Sequence, residues 1–75
     1  MNAQTTQSPA LAHDIITGAE GLAEFIFGDR KQRRKVYHLV ESGGLPVFRL
    51  GSQICARKSV ILHWIGEQEQ RSRAA

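Results

Sequence analysis

Gly43, Gly44 and Pro46 interrupt the middle of the chain, and neither a helix nor a central strand passes through such a group. They divide the sequence into two kinds of pattern. Before the break, apolar residues recur at helical spacing: Ala19, Leu22, Ala23 and Ile26, then Val36, Leu39 and Val40. After it, two short runs, Val47-Phe48-Arg49-Leu50 and Gln53-Ile54-Cys55-Ala56, flank Gly51-Ser52, which suits a two-residue type II′ hairpin turn. Phe48, Leu50 and Ile54 are expected to face the core, with Arg49 and Gln53 outward. Arg57-Lys58-Ser59 opens a last helix expected to run to about Glu69, with Ile61, Trp64 and Ile65 inward and Val60 beside them. The pattern predicts an α+β fold of three helices and a two-stranded β-hairpin.

Local signals set expected boundaries. Residues 1–13 are polar, contain a proline and lack periodicity, so they read as a disordered arm. Asp14-Ile15-Ile16 reads as a short extended lead-in. Thr17 and Glu20 have the spacing of a capping box for a first helix that Gly28 stops after Phe27. Gly18 and Gly21 weaken that helix, so tertiary packing must hold it. Asp29 or Gln32 can cap the second helix. The folded domain is expected over residues 14–67, followed by a flexible tail, 68–75.

At 75 residues the chain forms one domain with a small core. One cysteine, Cys55, allows no internal disulfide and no paired thiols for zinc, which points to a reducing, cytoplasmic setting. No secretory signal is expected, and the longest apolar run, Val60-Ile61-Leu62, is far too short to span a membrane. His13, His38 and His63 lack metal-ligand spacing. Cys55 and Tyr37 lack the oriented base or larger constellation that nucleophilic catalysis requires, and the glycines form no phosphate loop. The reading is a non-enzyme with no metal and no cofactor.

Charge is the most informative feature for function. Net charge is +3, and Arg30, Lys31, Arg33, Arg34 and Lys35 supply half of the ten basic residues within six positions. A solvated charge run is the plain reading of such a cluster; a phosphate-binding face is the sharper one, with nucleic acid as partner. Turning Val36, Leu39 and Val40 inward leaves Arg33, Arg34, Tyr37, His38 and Glu41 on or near the outer face of the second helix. Two short helices joined by a glycine-containing turn, the second one basic, form a helix-turn-helix pattern.

Three stretches together resemble the excisionase family of small MerR-like winged-helix proteins. They are Val36-Tyr37-His38-Leu39, then Gly43-Gly44-Leu45-Pro46-Val47-Phe48-Arg49-Leu50-Gly51, then Arg57-Lys58-Ser59 with Ile61 and Trp64. The similarity spans Ile15 to Ile65, and Gly28-Asp29-Arg30-Lys31-Gln32 is longer than the Gly-x-Ser turn usual in the family. The resemblance implies a winged helix-turn-helix that binds double-stranded DNA. Arg33, Arg34, Tyr37 and His38 would lie on the base-reading helix, and Arg49, Ser52 and Gln53 on the wing. Arg30, Lys31, Lys35, Arg57 and Lys58 would meet phosphates. It also implies an excisionase that loads side by side on repeated sites, bends DNA and directs an integrase toward excision. A small transcriptional regulator ranks second, since no sensor or effector domain is expected in a chain this short, and a protein-interaction adaptor third.

Overall fold

The computed structural model describes residues 11–74. Most of the expected N-terminal arm lies outside the described residues; positions 11–14 form a helical turn. Strand β1 (Ile15–Thr17) leads into helix α1 (Gly18–Phe27). A 3-10 turn, Arg30–Gln32, precedes helix α2 (Arg33–His38), which widens into a π-turn over Leu39–Gly43. Strands β2 (Phe48–Leu50) and β3 (Gln53–Arg57) form the hairpin, and helix α3 (Lys58–Ala74) closes the described chain. The fold is a small α+β domain.

The hairpin is not two-stranded on its own. The sheet has three antiparallel strands in the order β1-β3-β2, with Ile16 opposite Ala56 and Arg49 opposite Ile54. The second edge of β3 carries backbone groups that need partners once buried, and Ile15–Thr17 supplies them. The turn behaves as its residues predict: Gly51 has φ +63° and no non-glycine residue among those described has positive φ, the combination a type II′ turn needs.

That turn also fixes register, and register corrects one expectation. Directly opposed residues share a face, so Leu50 goes with Gln53 and Phe48 with Cys55. Ile54, Ala56 and Ile16 belong to the other face, which is the one in the core. Phe48 and Leu50 therefore point away from the core and are 39% and 54% exposed. Cys55 is buried on their face.

Around the inner face lie Leu22, Val36 and Ile61, all fully buried, with Ala19, Ala23 and Leu45. Gly21 permits the close approach of α1 to β1: a Cβ there would sit 3.1 Å from Ile16 Cγ2. The C-terminal end of α2 is closed by Gly44 and Leu45, whose amides both donate to the Leu39 carbonyl.

Three further expectations change. The Thr17–Glu20 capping box does not form: Thr17 occupies the N-cap but makes no side-chain cap hydrogen bond. Gly18 begins the helix at φ +83°, so the residue ahead of it is not aligned as a capping box requires. Helix α3 runs to Ala74 instead of fraying after Glu69. No glycine or proline follows Gly66 to stop it, and Arg71 and Arg73 sit in its last turn, where cations complement the helix dipole. Trp64 and Ile65 pack on the core only partly buried, and Val60 is exposed. No helix of the described residues is long and apolar enough to cross a membrane.

Candidate nucleic-acid interface

The candidate surface begins with one buried residue. Val36 anchors α2 to the core, which turns Arg33, Arg34, Lys35, Tyr37 and His38 to the exposed side of the helix. Asp29 sets where this segment starts. Its carboxylate accepts from the Lys31 amide at 2.9 Å and from the Gln32 side-chain amide at 3.4 Å, and its carbonyl accepts from the Gln32 backbone amide at 3.0 Å. The first cations of the cluster thus stand on a 3-10 turn, one step before α2. Lys31, Arg34, Lys35, Tyr37 and His38 line an open concavity of about 510 Å³, with Gln32 and Arg33.

The members of the basic cluster differ in their partners. Arg30 donates to Glu24 at 3.0 Å and to Glu20 at 3.3 Å, both on α1. These hydrogen bonds, Glu24's first, push its guanidinium pKa further up. Arg33 reaches the second Glu20 oxygen at 3.9 Å. Lys35 lies over the Phe27 ring, 5.4 Å from its centroid. Lys31, Arg34 and Lys35 form no ion pair among the described residues, and all three are exposed.

The hairpin's turn end lies beside α2. Gln53, the first residue of β3, lines a second concavity of about 350 Å³ together with Tyr37, Arg33, Arg30 and Glu20. Arg49 donates across the turn to the Ser52 carbonyl at 3.4 Å, and both residues are exposed.

Arg57 and Lys58 line neither of these two concavities. Arg57 donates through Nε to Asp14 at 3.0 Å. The same carboxylate accepts from the Ser59 amide at 2.9 Å and from the Ser59 hydroxyl at 2.7 Å. The Ser59 hydroxyl, then its amide, hold the Asp14 carboxyl below its ordinary pKa, with Arg57 adding to the effect. Asp14 is thus an N-terminal cap for α3 supplied from 45 positions away. Lys58 is half-buried and lines a concavity with Ile15, Glu24 and Phe25.

The carboxylates that pair with the basic residues are what sequence reasoning missed. Glu20 and Glu24 are one helical turn apart, directly ahead of the basic run, and that spacing was the available signal. Asp14 gave no local signal, because its partner is remote in sequence. Among the described residues no three His, Cys, Asp or Glu side chains gather as metal ligands.

Compared with family models, curated proteins and solved structures, the chain matches none of them.

Proposed function

We propose that this protein binds double-stranded DNA as a winged helix-turn-helix, with α2 in the major groove and the β2–β3 hairpin against the adjacent backbone or minor groove. The observation that carries the reading is the outward face of α2 and of the 3-10 turn before it, where Lys31, Arg34 and Lys35 are exposed without a carboxylate partner among the described residues. Arg34 is the assigned base contact, because a guanidinium pairs bidentately with guanine O6 and N7. Lys31 and Lys35 are assigned to phosphates, which position without specifying. Tyr37 and His38 complete the base-reading side, and Arg49, Ser52 and Gln53 the wing.

The biological role proposed first is that of an excisionase in the cytoplasm, loading on repeated sites, bending DNA and directing an integrase toward excision. Phe27 and Leu62, exposed at 38% and 59%, with half-buried Phe25, are the surfaces proposed for contact between neighbouring copies. A small transcriptional regulator uses the same face, and an excision assay with an integrase separates the two.

Duplex binding is tested by titration at several salt concentrations. Each phosphate contact steepens the fall of log K with log salt by about 0.9. The proposal expects a measurable slope and a preference among duplex sequences; Arg34→Ala is expected to relax that preference, and Lys31→Ala to weaken all duplexes alike. No binding at low salt, or a flat salt response, overturns it.

A further inference from the structure

The six-position basic cluster splits by helical phase into two stripes. Lys31, Arg34 and Lys35 line the outward concavity and pair with no carboxylate among the described residues, whereas Arg30 and, three positions on, Arg33, which lines the same concavity, reach the carboxylates of α1. Glu20 uses one oxygen for Arg30 and the other for Arg33, and Glu24 takes the remaining arm of the Arg30 fork. All four side chains are more than half exposed. Pairs this exposed contribute little to fold stability. Their consequence lies in the field the surface presents.

We infer that Glu20 and Glu24 are specificity-determining residues that mask Arg30 and Arg33 from the phosphate backbone; the inference rests on the DNA-binding reading above. A phosphate that recruits Arg30 must displace two carboxylates and approach their negative charge. Non-specific affinity is set by the number of phosphates neutralised, irrespective of sequence. Base readout by Arg34 carries no such partner to displace. Removing two cations from the phosphate count lowers the non-specific term and leaves the base contact in place, so the ratio of specific to non-specific binding rises. Arg30 is then a tie between α1 and the 3-10 turn, in contrast to Lys31 beside it.

The test compares salt slopes on one duplex for the wild-type chain, Glu20→Gln/Glu24→Gln, and Glu67→Gln/Glu69→Gln. The last pair makes the same change in net charge on the outer half of α3. Releasing the guanidiniums is expected to steepen the slope by about 0.9 for each one that reaches a phosphate. It is also expected to tighten binding to unrelated sequences more than to preferred ones. The α3 control is expected to keep the wild-type slope. Arg30→Gln is expected to leave the slope unchanged in the wild-type background and to reduce it in the Glu20→Gln/Glu24→Gln background. This second comparison holds the test together if the double variant folds poorly, which circular dichroism reports: a shallower slope for Arg30→Gln alone overturns the inference. An unchanged slope in folded Glu20→Gln/Glu24→Gln, or equal steepening in the α3 control, also overturns it while leaving DNA binding intact. Absence of duplex binding by the wild-type chain overturns the DNA reading itself.

Discussion

The ten residues of α1 bury Ala19, Leu22 and Ala23, whereas among the described side chains of the seventeen-residue α3 only Ile61 is buried. The starts of the two helices show the opposite order. Thr17 leaves the first turn of α1 without a side-chain cap, while Asp14 holds the first turn of α3 through both oxygens and carries Arg57 as well. The shorter helix is therefore held by burial, and the longer one by buried Ile61, partly buried Trp64 and Ile65, and a polar tether. In a small domain the two devices substitute for each other, and each helix uses the one its sequence allows.

The largest expected effect tests the burial side. Leu22 is fully buried at the centre of the cluster that joins α1, α2 and the sheet. Leu22→Ala is expected to cost about 2–5 kcal/mol, a loss that a domain with little reserve barely survives. On α3 the corresponding change is Trp64→Ala. Its indole is only partly buried against the core, so its loss is expected to fall below the range of about 3–5 kcal/mol for a fully buried aromatic. Thermal melts by circular dichroism rank the two. If Trp64→Ala proves the more damaging, α3 is part of the core to the same degree as α1, and the contrast between the helices fails.

Local chemistry made much of this fold legible. Gly43, Gly44 and Pro46 mark the passage from helices to hairpin, Gly51 marks the turn, and Val36, Leu39 and Val40 mark the inward side of α2 and its continuation. The facing of Phe48 and Leu50 was also legible: a two-residue turn pairs position 50 with 53, which places Ile54 on the opposite side. Treating every apolar residue as inward obscured that parity. What was not legible is whatever joins distant segments. The pairing of Ile15–Thr17 with β3, the Asp14 cap on Ser59 and the capture of Arg30 by Glu20 and Glu24 all depend on positions brought together only by folding. The same limit applies to the candidate site: composition located the basic cluster, and tertiary structure divided it.

The tether side is tested by Asp14→Ala, expected to rank below Leu22→Ala and to act mainly on α3. Because hydrogen bonds from Ser59 lower the folded-state pKa of Asp14 beneath the ordinary 3.8, the tether stabilises the fold fully above 3.8. That contribution is lost as pH falls through the lower, folded value, where the carboxyl protonates in both states. The melting temperatures of wild type and Asp14→Ala are accordingly expected to differ by a constant amount at neutral pH and to converge in acid. A gap that persists unchanged at the lowest pH means that the ionised carboxylate is not what holds α3.

The smallest effect is expected at Thr17. A serviceable N-cap hydroxyl contributes about 1 kcal/mol, and its replacement by alanine removes that amount. Thr17 makes no such bond: the left-handed Gly18 follows it, and Glu20, the other half of the expected capping box, is engaged with Arg30 and Arg33. Thr17 instead ends β1, exposed and opposite Cys55. Thr17→Ala therefore gives up only a modest strand preference, and its cost is expected to stay within about 0.5 kcal/mol by denaturant titration. Ser59→Ala provides the contrast, since the Ser59 hydroxyl meets Asp14 at 2.7 Å and is expected to cost more. If the two substitutions cost the same, or Thr17→Ala costs the full value of a cap, then α1 is capped in solution and its start does not differ in kind from that of α3. If the ranking holds, the absence of a cap on α1 is tolerated because Leu22 and Ala23 lie fully buried within its first turns.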